Sequence, residues 1–416
     1  MRICSRCLYS DSQALNLTFN DAGVCSGCQV HEEKDRVDWT ARGEKLGKIL
    51  NEYRNTTGTN YDCVVPVSGA RDSFFIVDKI KRVYGLNPLL VTYNKQYNTA
   101  VGIRNLARLK TVFDCDIIAL TVSPEKVKKI TRSTFRRFGS LYWHCLAGQT
   151  VHPVQIAVNF KIPLIIWGAH QGLDQVGMFS HLDEVEMTRK YRKEHDLMCY
   201  EAEDLIGSFD HITENDIRPF SYPDDMELER VGVRGIYLGN YIRWDSRAQH
   251  EQMIEKYGYE TAPLNRTFDS YHDVDCWLYA DVHDHMKMLK HGYGIALDHS
   301  CREIRLGKMS REEGLEMVRR YSARPMKHLN LFLDWIGMTE EAFHYIADQH
   351  RNPKIWHRNE YWKWERSDSH LTKIEVAGEL KQALEQVASF SEFTLTGPGQ
   401  SPDADDRYIL IGKGAP

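Results

Sequence analysis

Residues 65–75 read "VPVSGARDSFF". The stretch joins the apolar run "YDCVVPV" (61–67) to a helical pattern over about 73–84 through a turn of small and polar residues. A strand that ends in such a turn and resumes as a helix brings backbone N–H groups and a helix N-terminus to one point. Together these make an anion site. A Walker-type phosphate loop would add a Lys for the β/γ-phosphates and a Ser/Thr hydroxyl for Mg²⁺. Neither is in place here: Asp72 and Ser73 follow the turn directly.

Working outward, the next apolar runs are "PLLVTY" (88–93), "DIIALTV" (116–122) and "IPLIIWG" (162–168). Helical stretches lie around 73–84, 99–112, 124–138 and 151–160. Strands this uniformly apolar are buried on both faces, as helices on either side of a parallel sheet require. The alternation predicts an α/β fold with a doubly wound, mostly parallel sheet. Ligands of such sheets bind at the carboxyl ends of the strands. That rim would carry "SGARDS", the "TYN" after the second strand and "GAHQGLDQ" after the fourth. "GNYIRWD" (239–245) ends a fifth strand and would bring Asn240 and Arg243 there. Arg243 suits either a substrate phosphate or carboxylate, or a structural salt bridge.

Beyond residue 225 the pattern is mainly helical. Capping signals open "MSREEGLEMVRRY" at Ser310 and "MTEEAFHYIADQH" at Thr339. The expected organisation is a cysteine module (1–31), a helical linker (32–58), the α/β domain (59–224), a mainly helical substrate or partner region (225–365) and a tail (366–416). That tail holds one amphipathic helix, a turn-rich stretch and "RYILIG", and its role is open.

Four of the ten cysteines form Cys4-x2-Cys7-x17-Cys25-x2-Cys28. Two C-x-x-C hairpins each supply two thiolates to a tetrahedral site, which is zinc-ribbon spacing. A redox or iron–sulfur pair is the competing reading. With four ligands and no open position the zinc would organise the fold and take no part in catalysis. "YADVHDHMKMLKHG" (279–292) is a weaker constellation, because helical positions i and i+2 do not share a face. "WHRNEYWKWE" (356–365) interleaves aromatics with charge, a pattern of interface packing before nucleic-acid stacking.

Composition narrows the classes. Apolar residues make up 42% and charged residues 27% of 416, an ordinary globular balance. Net charge is −5, so there is no global basic footprint and nucleic acid is disfavoured as a partner. No apolar run is long enough to span a bilayer, and "MRICSRCLYSDS" lacks a secretory core, so a cytoplasmic location is expected.

S-G-x-x-D-S after a buried strand resembles the PP-loop of ATP pyrophosphatases, usually S-G-G-x-D-S, so Ala70 stands in place of a second glycine. "AHQGLDQ" (169–175) resembles the A-H-x-x-x-D-Q of some tRNA-modifying PP-loop enzymes, which implies that Asp174 holds Mg²⁺ or orients ATP, with His170 and Gln175 nearby. The longer pattern through "NDAGVCSGC", "VDWTARGEKL", "YDCVVPVSGARDS", "YPDDMELERVGVRGIYLGNYIRWD" and "MSREEGLEMVRR" resembles the N-acetyl sugar amidotransferases of bacterial surface-polysaccharide and nonulosonic acid biosynthesis. That resemblance implies ATP, Mg²⁺ and Zn²⁺ as cofactors. It also implies an N-acetylated sugar as substrate, such as a diacetamido uronic acid or a pseudaminic- or legionaminic-type acid. No glutaminase motif is evident, so a separate glutaminase subunit is implied as the ammonia source. The loop residues Ser68, Gly69, Ala70, Arg71, Asp72 and Ser73 would hold the pyrophosphate, the amides of 68–71 doing so directly. Two alternatives stay open: a tRNA-modifying enzyme, and a degenerate loop in a scaffold that binds a glutaminase. If position 70 needs a left-handed backbone, Ala70 is strained by about 1–2 kcal/mol. If it only needs room, the methyl group is tolerated.

Overall fold

A computed structural model describes residues 2–11 and 17–366. The expected tail features after residue 366, and the first part of the run "LNLTF" (15–19) in the cysteine module, lie outside the described residues. Phe19, at the end of that run, bridges to Cys25.

The chain opens with helices α1 (Ser26–Glu33) and α2 (Trp39–Glu52), the latter capped by the Asp38 carboxylate accepting from the amides of Thr40 and Ala41. Three strand–helix units follow, then a further helix and a fourth strand: β1 (Cys63–Pro66), α3 (Ser73–Val77, extended by wider π-type turns to Val83), β2 (Pro88–Tyr93), α4 (Ala100–Phe113), β3 (Ile117–Leu120), α5 (Pro124–Phe138), α6 (Trp143–Phe160) and β4 (Leu164–Trp167). Thr99 caps α4, and Pro124 at the first position with left-handed Gly139 after the last bounds α5. The helix expected at 151–160 begins earlier, at Trp143, because "WHCLAGQTV" continues its buried face upstream.

All strands of the main sheet are parallel, in the order β3-β2-β1-β4-β5, with β5 at Arg234–Tyr237. The α/β fold class expected from the strand pattern is therefore present. The boundary expected after residue 224 is corrected: it would cut β5 from the sheet, although β5 pairs with β4 from Leu164↔Arg234 to Trp167↔Tyr237.

The helical C-terminal region shares its core with the sheet domain. Phe332, Trp335 and Phe343 pack with Tyr97, Phe135, Trp143 and Trp277 in one buried cluster. The cysteine module likewise folds back: Cys4, Leu8 and Tyr9 pack on Tyr293, Leu297, Leu315 and Val318. The aromatic run near 360 forms a hairpin of β6 (Trp356–Arg358) and β7 (Trp364–Arg366), whose Trp356 and Trp364 flank the Arg351 guanidinium at 4.8 and 5.0 Å. Among the described residues no helix is long and apolar enough to cross a membrane.

Candidate functional site

The strand order reverses between β1 and β4, and a crevice opens at their carboxyl ends there. The loop after β1 (68–72) and the loop after β4 (168–175) face each other across it. Three cavities adjoin the first loop. One of about 350 Å³ contains Arg71, Asp72, Asp174 and Gln175, together with residues of the cysteine module and of 272–306. A second, of about 290 Å³, runs over the ends of β1, β4 and β5, past Ser68, Arg71, Asp72, Ser73 and His170. The third, about 320 Å³, is a more apolar slot between Ser68, Gly69, the end of β2 and α4.

The loop is wound tightly. Ser73 Oγ accepts from the Ser68 amide (2.9 Å) and donates to Ala70 O (3.0 Å), while Ser68 Oγ accepts from the Ala70 amide (3.2 Å). A Cβ on Gly69 would lie 1.9 Å from the carbonyl oxygen of Gly102, so only glycine fits. Ala70 is fully buried and is absent from the left-handed residues; that conformation falls on Arg71, at φ 52°. The strain thus sits one residue later than the glycine pattern suggested, and Arg71 is held in it from several sides. Its amide donates to His272 O (2.9 Å), its carbonyl faces His250 Nε2 (2.8 Å), its guanidinium pairs with Asp273 (2.8 Å) and lies 5.3 Å from the Tyr279 ring centroid.

These bonds correct one expectation. The amides of residues 68, 70 and 71 all donate within the chain, so they do not form an open nest for pyrophosphate. Of the four, only the Gly69 amide has no partner among the described residues. The side chains nevertheless suit a magnesium nucleotide. Asp72 Oδ1 is buried without a hydrogen-bond partner, and burial pushes the Asp72 carboxyl up despite the nearby charges of His250 and Arg71. A cation at this point would satisfy it. The third cavity offers a base an apolar slot beside the loop, with buried Lys95 in its wall.

Asp174 and Gln175 reach the first cavity. Asp174 pairs with buried Lys34 at 2.6 Å, and Gln175 Nε2 donates to the Tyr9 hydroxyl at 3.1 Å. His170 is buried among Phe179, Tyr191 and Tyr237, with Nδ1 accepting from the Gly172 amide. Burial pushes it down to about 4, so it is a neutral wall of the second cavity. Asn240 and Arg243 do not reach the site, a correction to the sequence reading. Asn240 is buried with Nδ2 donating to Val185 O (2.9 Å), and Arg243 turns outward to Lys34 O (2.7 Å) and Asp35 (2.6 Å).

The sequence reading missed the segment 269–276, "DSYHDVDC". It crosses the rim and caps the loop. Asp273 clasps Arg71, Asp275 pairs with Lys95 at 2.8 Å with both side chains buried, and Asp269 pairs with Arg302 at 2.6 Å. Burial alone would raise the Asp269 carboxyl, but His299 and Arg302 outweigh it and hold it well below the usual range. Three aspartates in seven residues, flanked by aromatics, were the available signal.

The four expected cysteines converge. Their sulfurs all lie within 4.8 Å of one another, with Cys7–Cys25 at 3.6 Å and Cys4–Cys28 at 3.9 Å. A tetrahedron with metal–sulfur bonds of about 2.3 Å has edges of about 3.8 Å, so the set fits a zinc-type ion. It is the only such cluster of potential ligands among the described residues; His283, His285 and His291 form none.

Residues 251–368 match the family described as LPS biosynthesis protein WbpG-like, C-terminal domain. An uncharacterized protein of Methanocaldococcus jannaschii, MJ1599, is 22% identical over 120 residues, or 28% of this chain and 42% of that protein. The chain thus spans less than half the length of this curated relative. Among solved structures, the NH3-dependent NAD synthetase of Campylobacter jejuni overlaps 47% of this chain and 92% of its own at 14% identity and a TM-score of 0.27. The NMN synthetase of Francisella tularensis overlaps 49% and 93%, also at 14% identity and a TM-score of 0.27. Superpositions of this quality add nothing to a fold that stands on its own strand order.

Proposed function

We propose that the protein is an ATP-dependent amidotransferase that converts the acetamido group of an N-acetylated sugar into an acetamidino group, in the biosynthesis of lipopolysaccharide or a related surface glycan. The observation that carries this reading is the meeting of two parts at one loop. The S-G-x-x-D-S turn lies at the switch point of the sheet, and the segment matching the lipopolysaccharide-biosynthesis domain closes over it through His272, Asp273 and Asp275.

The chemistry follows from what an amide lacks. Its carbonyl oxygen is a poor leaving group, and ammonia does not displace it unaided. The oxygen attacks the α-phosphorus of ATP, the bond to the β-phosphate oxygen breaks, and pyrophosphate leaves with its electron pair. Ammonia then adds to the imidate carbon, the C–O bond breaks, AMP departs and the amidine remains after loss of a proton. The residues serve by position and charge. The slot beside Ser68 and Gly69 would take the adenosine, Arg71 and Lys95 would face the phosphates, and Asp72 would hold Mg²⁺, which neutralises the phosphate charge when bound. The first cavity, lined with Asp174, Gln175, Lys287 and Arg302, would take the sugar. Ammonia would come from a separate glutaminase subunit.

The test is product analysis with Mg·ATP, ammonium and a panel of N-acetylated sugar nucleotides and free sugars. The expected result is sugar-dependent AMP and pyrophosphate, with a sugar lighter by the difference between an oxygen and an NH group. ATP cleavage to ADP and phosphate, or turnover with transfer RNA and no sugar, would overturn the reading.

A further inference from the structure

The cysteine module and the Asp174 loop are in direct contact. The knuckle Cys25–Cys28 lies against residues 174–177 with backbone on backbone: a Cβ on Gly27 would come within 2.6 Å of Gln175 O, and one on Gly177 within 2.3 Å of Ser26 O. Ser26 Oγ donates to Val176 O at 2.7 Å. Helix α1 begins at this knuckle, and Lys34, the residue that ends it, holds the Asp174 carboxylate.

Arg305 joins the two parts. Its Nε points at Cys28 Sγ (3.4 Å) and its Nη2 at Cys25 Sγ (3.6 Å). From the other side of the same fork, Nη1 donates to the carbonyls of Asp174 (3.1 Å) and Gln175 (2.7 Å). The Tyr9 ring lies 5.3 Å from the guanidinium carbon and fixes its plane. Four thiolates around a divalent ion leave excess negative charge on sulfur, which a guanidinium offsets through N–H···S bonds. Without the ion nothing holds the four sulfurs at these positions, and the anchor on that side of the guanidinium fork is lost.

We propose that Arg305 is a positioning residue that couples the four-cysteine metal site to the Asp174 loop, so that metal occupancy sets where the Asp174 carboxylate stands in the first cavity. This rests on the proposed function only in taking that cavity as the reaction site; the contact itself does not depend on it.

The test uses the full-length, zinc-loaded protein and needs no turnover. Zinc is removed with a chelator, its loss is verified, and amide hydrogen exchange is followed in peptides covering 172–177 and, as reference, 88–93. Exchange at 172–177 should rise at least about tenfold while 88–93 stays unchanged. Unchanged exchange at 172–177 overturns the coupling. The part of Arg305 is read with Co²⁺ in place of zinc. Arg305→Lys keeps the charge but loses the planar fork. It should shift the sulfur-to-cobalt charge-transfer band and raise exchange at 172–177 several-fold, roughly the loss of one or two charge-assisted bonds. If the variant loses cobalt, a rise at 172–177 with 88–93 unchanged supports the coupling in the same way, and unchanged exchange at 172–177 overturns it. A wild-type band with wild-type exchange assigns Arg305 no role and overturns it. Neither readout involves ATP or a sugar, so failure of the proposed reaction would leave both results standing.

Discussion

Ala70 and Arg71 divide between them what a glycine would do alone. The methyl of Ala70 is packed into the core under β1, and the left-handed backbone is carried by Arg71. Ala70→Gly therefore relieves nothing. It should lower stability by about 1 kcal/mol, through a lost buried methyl and a more flexible unfolded chain, as read by urea denaturation. A rise in stability or in ATP turnover would show that the alanine impairs the loop. Gly69→Ala should be far worse, costing about 3 kcal/mol or more, because the atom it meets is backbone and cannot rotate away. Soluble, wild-type-like Gly69→Ala protein would contradict the close approach of the loop to α4. These residue choices show the limit of motif reading: "SGARDS" located the loop, but which residue bears the positive φ depends on what anchors it from residues 250–279.

At the scale of elements, the segment 269–276 is the piece that completes the rim. Two of its ion pairs differ in environment, and that sets different expectations. Lys95 and Asp275 are each 6% exposed, so Asp275→Asn leaves an uncompensated buried ammonium and should cost about 3–5 kcal/mol. Arg71 keeps 37% of its side chain exposed, so solvent screens the loss of Asp273, and Asp273→Asn should cost about 1 kcal/mol or less. Thermal unfolding of the two variants side by side checks the order; equal losses would show that the burial difference is not expressed. Cap and strand signals were legible because they are local. Ser310 and Thr339 each cap within three residues, and the apolar strands declare themselves without a partner. Segment 269–276 was not legible, because Asp273 and Asp275 meet their partners across 202 and 180 residues of chain. Arg243 misled for the same reason: its carboxylate partner, Asp35, lies 208 residues away.

The whole molecule carries a set of buried and half-buried histidines held below their usual pKa, and this sets the sign of its acid response. Burial pushes His144 and His283 down to about 3, and His31, His170, His285 and His291 to about 4. The unfolded chain binds these protons near pH 6.5 and the folded chain does not. Stability should therefore be flat above that pH and fall as pH drops from about 6.5 towards 4, by roughly 3 kcal/mol for His170 alone. Asp196, raised by burial to about 6, acts in the opposite direction between about 4 and 6 and offsets part of the loss. A melting temperature that holds constant from pH 7 to 4.5 would contradict the burial of these rings.

The parallel α/β sheet, the loop that ends β1 and the convergence of four cysteines into a set that fits a metal ion were all legible in the sequence. Each of these follows from short-range patterns: apolar runs of strand length, a strand–turn–helix junction, and paired C-x-x-C spacing. Tertiary contacts set that Arg71 bears the strain, that 269–276 closes the rim, that Arg243 faces away and that Arg305 joins the cysteine sulfurs to the Asp174 loop. Those outcomes depend on which residues, distant in sequence, the fold brings together, in the interior or, as for Arg243 and Asp35, at the surface. Buried charge must find a partner wherever the chain brings one, and no local spacing encodes where that is.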